Sequence, residues 1–124
     1  HFQICDASGK SVVVEYVDDE MKVVYPDKNY QCATNFLLTQ PDAKFNFGQD
    51  RYQIMDEKLS ATNGKLSNRE AMQLLSDCSQ DAHKNKQGKI SKTQWSCVYD
   101  LKKKRVTICV NQNYDTEYSI NVVE

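Results

Sequence analysis

The sequence predicts an α+β fold, an antiparallel sheet with helices on one face. Three observations carry this expectation. Short apolar or alternating runs separated by tight turns fill residues 2–25. Two segments with helical spacing lie between residues 50 and 78. A hairpin and a further alternating run occupy residues 93–123. Strands, then two helices, then strands, joined by short connections, give sheet and helices in separate layers.

Residues 2–6 and 11–16 are the first two strands, flanking the turn Ala7-Ser8-Gly9-Lys10. Val17-Asp18-Asp19-Glu20 forms a second turn before a strand over 21–25, and Pro26-Asp27-Lys28-Asn29 breaks the sheet. A short strand is expected over 32–38, with Asn35 at its centre, then a loop over 41–48. A helix starts near Asp50, with Tyr52, Met55 and Leu59 at helical spacing, and Asn63-Gly64 ends it. Ser67-Asn68-Arg69-Glu70 is a capping-box pattern opening a second helix, whose buried stripe is Ala71, Met72, Leu74, Leu75 and Cys78. Residues 79–92 are polar, lack periodicity and read as an exposed loop.

The last hairpin can be put in register by arithmetic. If Asp100 pairs with Arg105, then Tyr99 faces Val106, Cys97 faces Ile108 and Trp95 faces Val110. The large apolar residues then share one face, and a slip by one residue would scatter them. The other face, with Ser96, Val98, Thr107 and Cys109, is mixed and suits cover by another layer. Residues 114–123 supply the final strand.

The 124 residues fit one domain, and the 40% hydrophobic fraction is slightly low for one. A net charge of −1 argues against a nucleic-acid binder, and Lys102-Lys103-Lys104-Arg105 reads as a solvated turn. Five cysteines, at positions 5, 32, 78, 97 and 109, show no C-x-x-C pair and no Cys/His metal spacing. They read as thiols in a reducing, cytoplasmic compartment. No run of about twenty apolar residues exists to span a membrane.

Several residues could carry chemistry. Asn35 is either a turn former or a side-chain amide that donates to a developing oxyanion. Arg51 sits in the first turn of a helix, where the dipole disfavours a cation, so stability alone does not explain it. Cys97 should point into the core, where burial blunts a thiol. Cys32 lies nearest the Thr34-Asn35 pair, and His83 reads as a solvated loop histidine.

Set in order, H-F-Q-I-C-D-A-S-G-K-S-V-V-V-E at the start, Ala33-Thr34-Asn35-Phe36, Asp50-Arg51-Tyr52 and T-Q-W-S-C-V-Y-D-L-K-K-K-R-V-T-I-C-V over 93–110 resemble one family. It is the C-terminal part of the choloylglycine hydrolases, linear amide C–N hydrolases of the N-terminal-nucleophile class. That family includes bile salt hydrolases and penicillin V acylases. The resemblance implies a four-layer αββα sandwich, to which this chain would bring part of the sheets and one helical layer. It implies a small acyl amide substrate, such as a conjugated bile acid, penicillin V or an N-acyl amide, and no cofactor. An acyltransferase of the same superfamily is a close variant.

The family's nucleophile is an N-terminal cysteine whose own α-amino group, of unperturbed pKa about 8, acts as base. This chain begins at His1. The expectation is therefore a C-terminal portion over 1–124, inactive alone, whose partner is the missing N-terminal portion. The resemblance implies that Asn35 donates to the oxyanion. It implies that Arg51 lies beside the nucleophile, while Trp95, Ser96 and Tyr99 belong to a structural hairpin. Val12, Val14, Val98 and Val123 should lack cover and offer a surface for that partner or for a homo-oligomer. The competing reading is a non-catalytic interaction or scaffold domain that keeps the fold.

Overall fold

The computed structural model describes residues 1–42, 47–85 and 87–122. Two compact units emerge, residues 1–65 and 66–124. Among the described residues they hold antiparallel sheets and two helices, the expected α+β class, with the strands in separate sheets rather than in one.

In the first unit β1 (Phe2–Cys5), β2 (Ser11–Val17) and β3 (Glu20–Val24) form an antiparallel sheet in that order. The β2–β3 connection is a two-residue turn with Asp18 and Asp19 both at positive φ, 53° and 61°. That geometry matches the right-handed twist of the strands it joins. The sheet's two faces differ sharply. Val13, Glu15 and Val17 are buried. The opposite face aligns Phe2 and Ile4 with Val14 and Val12, and Val14 and Tyr16 with Val23 and Met21. Phe2 remains 75% exposed and Met21 70%.

Residues 32–38 were expected to be a strand and are not. The carboxylate of Glu15 takes the amide of Leu38, so a side chain supplies what a neighbouring strand would have. After them α1 (Gln49–Ala61) begins where its apolar spacing predicted. It ends as expected at Asn63-Gly64, where the Gly64 amide donates to the Leu59 carbonyl at 2.7 Å. Part of the expected 41–48 loop, residues 43–46, lies outside the described residues.

In the second unit α2 (Asn68–Asp77) carries the full capping box. Ser67 Oγ accepts from the Glu70 amide, and the Glu70 carboxylate accepts from the Ser67 amide at 2.8 Å. Met72 and Leu74 are the buried members of its stripe. The polar stretch that follows holds a short ladder, β4 (His83–Lys84) with β5 (Ile90–Ser91), rather than the expected open loop. Asn85 Oδ1 accepts from the amides of Gln87 and Lys89 and closes that turn.

The sheet β6 (Trp95–Asp100), β7 (Arg105–Val110) and β8 (Tyr118–Asn121) completes the unit. Its hairpin has the register derived from the sequence, from Trp95 opposite Val110 to Asp100 opposite Arg105. Ser96, Thr107 and Cys109 are buried, on the side where α2 packs against β6. The Tyr114 hydroxyl ties them together: it bonds Ser96 Oγ at 2.9 Å and donates to the Leu75 carbonyl at 3.5 Å.

The large apolar face is the open one. Trp95 is 66% exposed and Tyr99 63%, beside exposed Val110, Tyr118 and Ile120. Only Val106 on that face is buried, flanked by Tyr99 and Ile120. Two expectations are corrected here. Cys97 lies on the open face, half-buried, and Cys109 is the core thiol. Val98 shares the covered face. Val12 and Val14 do lie on the open face of the first sheet, half-buried, and Val123 falls outside the described residues. Among the described residues no helix is long and apolar enough to cross a membrane.

All five cysteines are thiols. Burial pushes the Cys109 thiol above its ordinary pKa, with the Glu117 charge adding to it. Native-state alkylation followed by peptide mass mapping should label exposed Cys5 first and Cys97 next. Cys32 and Cys109 should react only on unfolding. Equal rates at Cys97 and Cys109 would contradict the assignment of the two faces.

Candidate functional site

The two residues singled out from the sequence meet. Arg51 Nη2 donates to Asn35 Oδ1 at 2.6 Å. An arginine offers only donors, so the carbonyl oxygen of the amide must face it. The Asn35 nitrogen then points elsewhere and bonds to no side chain or backbone group among the described residues. The Asn35 side chain is exposed, so that nitrogen can meet a ligand.

Gly48 makes this arrangement possible. It stands just before α1 at φ 85°, in the left-handed region. Its carbonyl accepts from the Tyr52 amide at 2.9 Å, opening the helix, and from Thr34 Oγ1, also at 2.9 Å. A Cβ on Gly48 would lie 2.5 Å from Arg51 Nη2. The guanidinium therefore occupies the space that a side chain would fill. Thr34, Asn35, Gly48 and Arg51 close a ring of contacts between the coil and the first turn of the helix.

Two further ties hold the Asn35 segment. Phe36, buried, meets Tyr52 edge-on, with ring centroids 5.2 Å apart at 62°. Burial raises the Tyr52 phenol above its usual range. On the far side of Asn35, Glu15 Oε1 accepts from the Leu38 amide at 2.6 Å. Glu15 Oε2 accepts from the Thr39 amide at 3.0 Å and from Thr39 Oγ1 at 2.6 Å. Glu15 is fully buried, with the His1 imidazole 3.8 Å away. Burial alone would raise its pKa, but the bonds from Thr39 and Leu38 outweigh it and hold the carboxyl below its ordinary value.

A second cluster lies beside α1. Asp56 Oδ1 accepts from Lys28 Nζ at 2.8 Å and from the Tyr30 hydroxyl at 2.7 Å. The hydrogen bond to Asp56 is the main reason that the Lys28 ammonium titrates above its usual range. These residues line an open cavity of about 290 Å3, together with Cys32, Gln31 and Tyr52.

Asn35 and Arg51, singled out from the sequence, are brought together; Glu15, Gly48 and Thr39, which hold the Asn35 segment, were not singled out. Glu15 could have been found by parity, because it shares a strand face with Val13 and Val17. Gly48 closes the span that the sequence marks only as a loop. Cys32 is buried, Arg69 is exposed at the start of α2, and His83 is exposed with Nδ1 2.9 Å from the Asp81 carbonyl. Among the described residues no three His, Cys, Asp or Glu side chains group as a metal site would require.

Comparison with known proteins gives the class. Residues 1–115 match the family model described as acyl-coenzyme A:6-aminopenicillanic acid acyl-transferase, a penicillin-acylase type of the N-terminal-nucleophile hydrolases. The chain belongs to that family. No curated protein and no solved structure matches it significantly. The class is the one that the motifs implied. The family matched bears an acyltransferase name, the close variant of the amide hydrolases first resembled.

Two outcomes follow from this geometry. Gly48→Ala should destabilise the first unit by roughly 1–3 kcal/mol, since it adds a Cβ at positive φ. It should also expel the Arg51 guanidinium, which NMR would show as a shift of the Asn35 side-chain amide. The second concerns pH. The folded-state pKa of Glu15 is depressed, so its ionised form is favoured by folding. Its stabilisation is present above the ordinary carboxylate range and is lost as pH falls through the lower folded value. Urea unfolding should show Glu15→Gln clearly less stable than the native sequence at neutral pH, with the gap closing in strong acid.

Proposed function

We propose that this chain is the C-terminal part of an N-terminal-nucleophile enzyme that transfers the acyl group of a small amide or thioester. The observation that carries the reading is the Arg51–Asn35 hydrogen bond, which leaves the Asn35 nitrogen outward as a donor. In such chemistry a cysteine thiolate adds to the acyl carbonyl, and the carbonyl oxygen takes up negative charge. Asn35 Nδ2 donates to that oxygen. Collapse expels the amine or thiol, and water or a second amine takes the acyl group from sulfur.

The nucleophile is assigned to an N-terminal portion of the same enzyme, outside this chain. The thiol nearest to Asn35 in sequence, Cys32, is buried and unsuited to the role. The open apolar faces of both sheets support the four-layer αββα architecture and a tight partner, either that N-terminal portion or a second copy. Acyl-glycines, penicillin V, other N-acyl amides, and acyl-coenzyme A with 6-aminopenicillanic acid are the substrates to try. The thiols favour a reducing, cytoplasmic setting.

The test is turnover of that panel by the full-length protein and its variants. Asn35→Ala should lower kcat by roughly a hundredfold to a thousandfold with KM little changed. Arg51→Ala should lower kcat and alter the pH dependence of kcat/KM, because a nearby positive charge favours a thiolate. Arg51→Lys should not restore it, having no planar fork. Arg69→Ala should be nearly silent. Activity abolished by Arg69→Ala and spared by Arg51→Ala would reject the alignment of α1 to the family. Activity of this chain alone, lost on changing Cys32, would reject the external nucleophile. No turnover by the full-length protein would favour a scaffold.

A further inference from the structure

We infer that Glu15 is a positioning residue for acyl transfer, fixing through Leu38 and Thr39 the place from which Asn35 donates. The inference rests on the reading of Asn35 as the oxyanion donor.

A carboxylate is a costly choice at this position. Glu15 has no exposed surface and shares its strand face with Val13 and Val17. A core position that served stability alone would be filled as well or better by an apolar side chain of similar volume. What the carboxylate does instead is specific. Both of its oxygens are used, and all three hydrogen bonds go to two consecutive residues of another segment.

That segment has no other regular support. Residues 32–38 form no strand, so no ladder of backbone bonds sets their position. Side chains do it instead. Thr34 is pinned to the Gly48 carbonyl, and Phe36 is packed on Tyr52. Leu38 and Thr39 are held by Glu15. The chain then turns, the Gln40 amide donating to the Leu37 carbonyl at 3.2 Å, and Gln40 Nε2 reaches Asp18 Oδ2 at 3.0 Å. Asn35 lies between two anchors, one on the helix and one on the sheet. Arg51 sets the orientation of its amide, while Glu15 sets how far the backbone carrying it stands from β2.

The experiment is a kinetic cycle on the full-length protein, with whichever substrate of the panel it turns over. Glu15→Gln keeps the shape but replaces one acceptor oxygen by an NH2 group facing a donor. Thr39→Ala, at an exposed residue, removes one of the three bonds and leaves the core intact. Displacing a catalytic group from afar should cost roughly tenfold to a hundredfold in kcat for Glu15→Gln, and less for Thr39→Ala, with KM little changed in both. In the Asn35→Ala background neither substitution should lower kcat much further, because the group being positioned is gone. Effects that multiply in the double variants, or folded single variants with unchanged kcat, would overturn the inference. If Glu15→Gln does not fold, the Thr39→Ala arm decides by the same criteria. A silent Asn35→Ala would instead overturn the reading of Asn35 itself.

Discussion

The backbone of Gly48 is where the helix and the coil that carries Asn35 are joined. Its carbonyl serves two donors, the Tyr52 amide that starts α1 and the Thr34 hydroxyl beside Asn35. Its missing side chain leaves the space that Arg51 enters. The second is closed to a residue with a Cβ, and the backbone bend that aims the carbonyl is strained for one. The positive φ bends the chain so that the helix start turns toward the coil. The arginine, unfavourable in the first turn for a bare helix dipole, is met there by an amide oxygen. A helix-starting turn thus becomes a device for orienting a donor.

The same economy explains how α1 stays in place. None of its residues is buried. Its apolar positions Tyr52, Met55 and Leu59 are half-buried, so hydrophobic burial, the usual support of a helix, is only partial, with Tyr52 against Phe36. Polar ties add to it along the length of the helix. Arg51 reaches Asn35 at one end, and Asp56 gathers Lys28 and Tyr30 in the middle. Each exposed tie is weak by itself. Distributed along one side, they set where the helix lies relative to the coil. Around Asn35, hydrogen bonds from Arg51 and Thr34 join the packing of Phe36 on Tyr52.

What the sequence disclosed depended on whether the interaction was local. The hairpin register was legible because strand parity and a short turn leave one pairing that groups the large apolar residues. The capping box was legible because its partners are three residues apart. Asn35 and Arg51 were legible as candidates mainly through the order of family motifs, and their direct hydrogen bond was not. The support beneath them was not. Strand parity in S-V-V-V-E-Y-V places Glu15 inward with Val13 and Val17, but its partners lie more than twenty positions away and no local pattern announces them. The apolar tone of residues 32–38 suggested a strand, yet the bonds that satisfy its far end come from a side chain. The β4–β5 ladder lay hidden because turn chemistry at Asn85, rather than alternation, creates it.

The sorting of residue size between sheet faces bears on the architecture. In β6–β8 the covered face carries Ser96, Thr107 and Cys109, which are small and let a helix approach closely. The open face carries Trp95, Tyr99, Tyr118 and Ile120. In β1–β3 the same holds for the open face, with Phe2, Ile4, Tyr16 and Met21. A sheet that met only water on that side would gain nothing from aromatic and long aliphatic side chains there. It would lose by offering a contiguous apolar patch to chance association. Such residues suit the proposed sandwich, in which a second sheet packed about 10 Å away would fill the space between them. In β6–β8 the side that meets α2 and the open side are thus distinguished by side-chain volume. That is why a reading based on polarity placed the core on the wrong face of the last hairpin.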